Sequence, residues 1–566
     1  MNTVIIILKE GKESVCNDKK GLLSISSLIS AIVLTCIMGT VILQHLDFSK
    51  GSFGPEEVSL SYLNCIPLSH YREYCGISDV CIKMYSSRSV PIRVRMLQLN
   101  GPVIEEDYVV DGSCEFVINQ GDVIVIEPSS EDADLKGIVE AETDTKRPIS
   151  LEYVVCTYRR EDAVLEKVRL FRNSALQNYH MTIVDNGSTV ELEEDPMISL
   201  VRMPNMGGTS GFTKGIVEGL DRGCTHVLLN DDDAYINPET VFRIIQFLSV
   251  VSEKYVDYSI SGVFLDIQNP NTVRETGGTF NNGKRAILDK GANISTDKGL
   301  MSISVRKHID YSSWTCCCIP SKIIQEAGLP LPLSVSYDDT EYGLRLDGKF
   351  LSIPGVSTWH PTRTMYPLRY SYYDVRNRLV TSACSDGLDR MSVESIFNSI
   401  LSEIAAYRYD CAEEMLKGVY DFLKGPEFVF RSCMNGMHQV EPMQYGDAEE
   451  LRKNLRSKTK AIQHSRDRRQ ITMNGLFLPS IGDIELHECE TETKHFYRVG
   501  KVLYIQGDKG VIRKRSLYQA MRLTLKTLGA KRKVLSKVQT VNDLYNASSE
   551  QFISLETWND LWKEAD

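Results

Sequence analysis

At 566 residues the chain exceeds one ordinary core, so roughly two to four domains are expected. The 42% hydrophobic and 25% charged residues are the makeup of a folded protein. A net charge of -11 weighs against a nucleic-acid partner, although a local basic patch can coexist with it. The 15 cysteines are odd in number and show no matched CxxC pairs. They read as buried thiols of a reducing compartment, and their spacing supports no zinc site.

The first 52 residues form a leader. Its segment 22–43 lacks charged side chains and is long enough to cross a bilayer as a helix. Lys9, Lys12, Lys19 and Lys20 precede it and would hold the N-terminus in the cytoplasm. A single-pass span is one reading; an interfacial helix or a structurally irrelevant leader is the other. From 53 to 148 short alternating runs such as "DYVVDGSCEFVI" and "GDVIVIEP" are separated by turn residues, the pattern of a β-sandwich. From 149 to 390 strands alternate with helices, as in "ISLEYVVCTY", "REDAVLEKVRLFRNSAL" and "HMTIVDNGST". That rhythm predicts a multidomain α/β protein whose central parallel sheet carries helices on both faces. Ligands then sit at the carboxyl ends of the strands, near 157–160, 185–188 and 231–233. The remainder, 391–566, reads as a mainly helical domain. Within it the basic stretch 452–470 is either a solvated linker or a patch for anionic lipid or a phosphorylated acceptor.

"HVLLNDDDAYINPETV" ends a hydrophobic strand in three adjacent aspartates. Helix capping explains one such residue, and more naturally Asn237 before Pro238. A hard divalent cation explains the others. Side chains alternate along an extended segment, so Asp231 and Asp233 can share an ion while Asp232 faces elsewhere. The loop "NMGGTSGFTKG" leads into a helix start near Ser210, where backbone N–H groups favour phosphate. It is neither a P-loop nor a dinucleotide fingerprint. In "SVSYDDTEYGLRL" Asp338 and Asp339 open a helix. One can cap it, and the other can serve as a general base. His360, ending "IPGVSTWHP", is a candidate third metal ligand or a structural histidine.

The ordered series "TYRR", "DNGS", "DDD", "DYSSWTCCCIP", "DDTEYGLR", "WH" and "VRNRLV" resembles the polymerising galactofuranosyltransferases of mycobacteria, inverting enzymes of glycosyltransferase family 2 with a GT-A catalytic fold. "SYLNCIPLSHYREYC", "FLKGPEFVF" and "GVIRKRSLYQAMRL" extend the likeness from about residue 54 to the C-terminus. The resemblance implies an N-terminal β-sandwich, a Rossmann-like GT-A domain and a C-terminal helical region. It implies Mn²⁺ or Mg²⁺ held by Asp231, Asp233 and His360. Thr157, Arg160, Asn186, Asn205, Gly207 and Asp232 would contact a UDP-sugar. Asp339 would be the catalytic base, with Trp314, Asp338 and Asp374 around the sugar and acceptor.

The family has two tryptophans where this chain has Trp314-Thr315, an acceptor-site glutamate where it has Gly278, and a histidine where it has Asp374. These departures surround sugar and acceptor recognition rather than metal. Galactofuranose from UDP-galactofuranose is the leading donor, with a rhamnosyl or pyranosyl nucleotide as alternative. The acceptor is expected to be a growing, lipid-linked cell-surface glycan, and the resemblance suggests a homo-oligomer at a membrane surface. A cytoplasmic face is favoured, because a span oriented by its lysines would separate the site from cytosolic donors. A Golgi-type lumen would resolve that conflict. A glycan-binding scaffold with an inactive domain is the non-enzyme reading. A nucleotidyl- or phosphotransferase would need a basic clamp, which the sequence beside Asp231 to Asp233 lacks.

Overall fold

The structure is a computed structural model that describes residues 39–129, 134–361, 368–385, 387–441, 443–456, 475–487 and 496–565. The N-terminal strands are β1 (Gly39–Asp47), β2 (Val80–Leu97), β3 (Ile104–Ile118), β4 (Val123–Pro128) and β5 (Leu135–Thr143). They hydrogen-bond as one antiparallel sheet, in the order β1-β5-β2-β3 with β4 on β2. The long β2 irregularity between Ser86 and Val90 divides it, so that β5 pairs with its first half and β4 with its second.

The run 22–43 reads as one apolar helix, yet residues 39–43 belong to strand β1, and 22–38 lie outside the described residues. Val41, Leu43 and Leu46 are buried in the core. The strand therefore extends the N-terminal sheet back to Gly39, ahead of residue 53. Among the described residues no helix is long and apolar enough to cross a membrane.

The central sheet is mixed. Its strands are β6 (Leu151–Thr157), β7 (Tyr179–Asp185), β8 (Ile198–Arg202), β9 (His226–Asp231), β10 (Ser259–Asp266) and β11 (Asn269–Glu275), with β14 and β15 added below. A separate hairpin, β12 (Gly278–Asn281) and β13 (Lys284–Ile287), follows β11. The sheet is completed by β14 (Cys317–Pro320) and β15 (Phe350–His360), giving the order β11-β10-β14-β9-β6-β7-β8 with β15 on β10. The pairs β6–β7, β7–β8, β6–β9 and β10–β15 are parallel, whereas β14 runs antiparallel to both its neighbours. Every residue of β6 is buried, as a strand covered on both faces requires. Cys316, Cys317 and Cys318 are buried free thiols at β14.

Beyond the sheet, helices Leu368–Cys384, Arg390–Ala405, Tyr409–Phe422, Leu517–Leu535, Val538–Phe552 and Leu555–Ala565 pack together. A four-stranded sheet that the helical reading of 391–566 does not anticipate lies among them: β16 (Gly446–Asp447), β17 (Gly482–His487), β18 (Val499–Gln506) and β19 (Lys509–Lys514). Its strands are short, and the residues between β16 and β17 are basic, which masks the period. Arg452 pairs with Glu485 on β17, at 2.7 and 2.9 Å; the basic stretch from 457 to 470 lies outside the described residues.

The helix Leu368–Cys384 supports the loop before Asp338. That loop places Ser334, Ser336 and Tyr337 in the left-handed region, at φ 71°, 67° and 66°. Such backbone persists only when its surroundings fix it. Asn377 Nδ2 contacts the carbonyl oxygens of Leu333, Val335 and Ser336, at 3.1, 2.8 and 2.7 Å, and Arg376 donates to Leu333 O at 2.8 Å. Asn377→Leu removes the amide from the partly buried Val335 and Ser336 carbonyls, while Leu333 O keeps Arg376, and each lost bond costs about 1–3 kcal/mol. The expected loss is about 3 kcal/mol in urea unfolding followed by tryptophan fluorescence; an unchanged midpoint would show that the loop holds itself.

Candidate active site

The parallel strands β6, β7 and β9 end at one rim, and β15 brings its last residue to the same place. A cavity of about 560 Å³ opens there. Thr157, Arg160, Asn186, Asn205, Gly207, Asp231, Asp232, Asp233 and His360 all line it. The cavity therefore brings together nine residues singled out from the strand ends, the glycine loop and the family resemblance.

The strand ends at Asp231, and a turn closed by Ala234 N–H donating to Asp231 O at 3.2 Å carries Asp232 and Asp233, so the turn rather than strand alternation sets where they point. Asp232 is buried and accepts from Thr157 Oγ1 at 2.8 Å and from Arg160 at 2.9 Å. Asp231 and Asp233 face His360, whose Nε2 lies 3.8 and 3.0 Å from their oxygens. Arg160 also pairs with Asp233. Burial raises the Asp233 carboxyl, but the His360 hydrogen bond and the His360 and Arg160 charges hold it at about 2. Ligand atoms of Asp231, Asp233 and His360 all lie within 4.8 Å of one another. The other His360 nitrogen, Nδ1, donates to Pro361 O at 2.7 Å, so Nε2 faces the carboxylates: protonated, it donates to Asp233, and deprotonated, it can bind a cation. Two carboxylates and an imidazole suit a divalent cation such as Mn²⁺ or Mg²⁺.

Lys167 completes the charge balance, and the sequence reading passed over it. Its Nζ donates to Asp231 O at 2.9 Å and Ala234 O at 2.8 Å, and it contacts Asn230 Oδ1. Burial pushes it down to about 8, against the pull of the three aspartates. The signal was a lysine on the apolar face of Glu161–Arg172, alongside buried Val164, Val168 and Phe171. Basic groups absent from the sequence beside the aspartates thus arrive from other elements, including Arg369 at the cavity wall.

The glycine loop starts the helix Gly208–Asp221, with Gly207 at φ 97° as N-cap. A Cβ on Gly207 would lie 2.3 Å from Ser334 O, so only glycine fits this approach. Asn186 donates Nδ2 to Gly207 O at 3.1 Å, while its buried Oδ1 has no partner.

Asp338 and Asp339 open the helix Asp338–Arg345, but neither caps it: the N-cap is Tyr337, with no side-chain bond. Asp338 instead accepts from Thr209 Oγ1 at 2.7 Å, which ties it to the glycine-loop helix. Burial and the neighbouring Asp339 charge push it up to about 6. Asp339 pairs with Arg285 of β13 at 2.5 Å, a partner the sequence reading missed. Asp374 sits 3.9 Å from Arg378, and burial raises its carboxyl. Neither Asp338, Asp339 nor Asp374 is among the residues lining the cavity. Trp314 differs from its expected sugar-facing place. It is 5% exposed and packs edge-on against Phe212 and Tyr342, so in this structure it is a core residue.

No protein-family model matches the chain. It is 26% identical over 274 residues to the galactofuranosyltransferase GlfT2 of Mycolicibacterium smegmatis, covering 44% of this chain and 42% of that protein. GlfT2 of Mycobacterium tuberculosis is likewise 26% identical over 276 residues, covering 44% and 43%. The chain thus aligns with less than half the length of these curated relatives. Among solved structures, the mannosyltransferase PcManGT of Pyrobaculum calidifontis, bound to GDP-Man and Mn²⁺, is 13% identical over 49% of this chain and 76% of that one, with a TM-score of 0.29. Residues 1–349 of S. aureus TarS give 11% identity, 51% and 83% coverage and a TM-score of 0.31. Scores this low carry no argument about the chain.

Mn²⁺ titration followed by electron paramagnetic resonance tests the ligand set. Asp233→Asn or His360→Ala should weaken binding by about 10–100-fold, the range seen even for groups supporting a ligand. Unchanged affinity in both variants would rule this cluster out.

Proposed function

We propose that the protein is a metal-dependent inverting glycosyltransferase of family 2 with a GT-A catalytic domain. The observation that carries this reading is the meeting of Asp231, Asp233 and His360 with the Gly207–Gly208 helix start and the unpartnered Asn186 Oδ1 in one cavity. Two carboxylates at a strand end beside a helix N-terminus suit a nucleoside diphosphate. The named activity of the two curated relatives supports galactofuranose as the transferred sugar, and UDP-galactofuranose is the donor proposed. A rhamnosyl nucleotide is the alternative.

In the proposed reaction Thr157, Arg160, Asn186 and Asn205 hold the nucleotide, and Asp231, Asp233 and His360 hold the cation. Bound there, Mn²⁺ or Mg²⁺ supplies Lewis-acid charge for the departing diphosphate. The acceptor hydroxyl oxygen bonds to the anomeric carbon from the face opposite UDP, and the carbon–oxygen bond to UDP breaks. Asp339 takes the hydroxyl proton. One displacement inverts the centre without an enzyme nucleophile. Asp338 and Asp374 would orient sugar or acceptor hydroxyls.

A panel of nucleotide sugars with furanoside acceptors tests the reading. UDP-galactofuranose should give UDP and an extended glycan. Asp339→Asn should lower kcat by about 10²–10⁴-fold while UDP affinity stays within about threefold. Turnover with another donor alone would replace galactofuranose, and UMP release would indicate transfer at phosphorus and overturn the reading.

A lipid-linked glycan acceptor and a cytoplasmic membrane surface belong to the same proposal, as does a homo-oligomer. Supporting the membrane surface, Tyr518, Met521, Leu525 and Leu528 form an exposed apolar stripe on Leu517–Leu535, with Tyr518 72% and Leu525 68% exposed. Exposed Lys526, Arg532 and Lys533 adjoin it, the arrangement of a helix lying on anionic lipid. Phosphatidylglycerol vesicles should carry the protein in flotation, phosphatidylcholine vesicles less, and Leu525→Asp should abolish the difference. Dissociation of an oligomer by Leu525→Asp without any lipid effect would assign the stripe to a second copy instead.

A further inference from the structure

Arg285 has no part in the mechanism above, yet it is held with unusual care. The hairpin β12–β13 turns through Asn282 and Gly283, at φ 51° and 64°, as a two-residue turn of this kind requires. Arg378, from the helix Leu368–Cys384, donates Nε and Nη2 to Gly283 O at 2.9 and 2.7 Å. The turn is thereby fixed to the same helix that supports the Asp338 loop. From β13 the Arg285 guanidinium lies over the Tyr337 ring, 3.8 Å from its centroid, and 5.3 Å from that of Tyr311. The side chain is 26% exposed.

The bonds to Asp339 fall on one oxygen. Oδ1 accepts from Arg285 Nη2 at 2.5 Å, from the Thr340 N–H at 2.7 Å and from Thr340 Oγ1 at 3.1 Å. None of the three reaches Oδ2. A carboxylate held by three donors at one oxygen keeps its orientation and offers the other oxygen to an incoming proton.

We propose that Arg285 is a positioning residue for the base: it pins Asp339 Oδ1 and leaves Oδ2 to receive the acceptor hydroxyl's proton. This rests on the reading of Asp339 as the base. The step balances simply, since the proton moves from the hydroxyl to Oδ2 as the oxygen bonds to carbon, and the electron pair of the breaking bond leaves with UDP. Arg285 remains charged throughout.

The surroundings set the sign of the pH effect. Asp338, Glu275 at the end of β11, the Tyr311 and Tyr337 phenols and the Cys317 thiol all feel the Asp339 charge. Asp374 feels both Arg378 and Arg285, and Arg274 acts on Glu275. Burial and the Asp339 charge push the Glu275 carboxyl up to about 7, and its buried Oε1 has no partner. Below about pH 7 Glu275 is therefore protonated. Arg285 favours the charged form of Asp338, against the neighbouring Asp339 charge, and bonds Asp339 itself. Removing the guanidinium takes a positive charge away from both carboxylates, so the acid limb of activity moves to higher pH.

The experiment follows UDP release from UDP-galactofuranose with a furanoside acceptor, from pH 4 to 9, in the full chain. Arg285→Gln should lower kcat by about 10²-fold, leave KM for the donor within about twofold, and shift the acid limb upward by at least about half a pH unit. Arg285→Lys keeps a charge and should shift the limb less, with part of kcat restored. Glu275→Gln should leave the limb where it is. If Asp339→Asn abolishes turnover while both Arg285 variants keep the wild-type limb, the Arg285 role is overturned and the base stands. If Asp339→Asn turns over normally, the base reading falls and takes this proposal with it.

Discussion

Three carboxylates in a row at a buried strand end can persist only if cations from elsewhere in the chain answer them. Two unit charges about 4 Å apart repel by about 4 kcal/mol at an effective dielectric of 20, a large share of a domain's net stability. In this protein the answer comes from three elements. Arg160, just before the helix Glu161–Arg172, bridges Asp232 and Asp233. Lys167, one turn into that helix and more, lies beneath them on backbone carbonyls. His360 arrives from the far end of β15. The strand ends are therefore fixed relative to one another by charge as well as by the sheet, and two of the three carboxylates are left turned toward a common point.

A second centre of order is the helix Leu368–Cys384. Its consecutive residues Arg376, Asn377 and Arg378 reach different parts of the molecule: the first two hold the loop at Leu333 to Ser336, and the third holds the hairpin turn at Gly283. A helix places neighbouring side chains about 100° apart, so three adjacent long polar side chains can serve separate loops. Buried polar groups are tolerable only when bonded, and here each bond also sets a loop's position. Asp339 meets Arg285 because both loops are referred to the same helix.

The strand–helix alternation and the Asn237-Pro238 helix start were legible in the residues, because each depends on local periodicity or capping. Asn237 does accept from Glu239 N at 2.9 Å. Other features depended on contacts between distant segments. Residues 39–43 look like the end of an apolar helix, but the burial of β1 on β5 and on Pro238–Val250 decides otherwise: His45 N and its ring bond Glu239, at 2.8 Å each, and Arg243 bonds His45 O at 3.2 Å. Trp314 looks like a sugar-stacking residue by its place in the series, whereas Phe212 and Tyr342 close over it. Lys167 and Arg285 carry charges whose partners lie 64 and 54 positions away, and no local pattern announces them.

The two halves of the candidate site are joined without an intervening layer. Gly207 passes so close to Ser334 O that a side chain there would collide with the loop leading to Asp338. Next to it, Thr209 N donates to Ser334 O at 3.1 Å, and Thr209 Oγ1 donates to Asp338 at 2.7 Å. The start of the Gly208–Asp221 helix is thus bonded directly to the segment that carries both acidic residues at 338 and 339. Any shift of that helix start must move Asp338, and the strained backbone at Ser334, Ser336 and Tyr337 has little room to absorb it. Tightness of this kind favours a fixed distance between the cavity and Asp339 over independent motion of the two. It also explains why a single glycine, rather than any charged residue, occupies the point of closest approach.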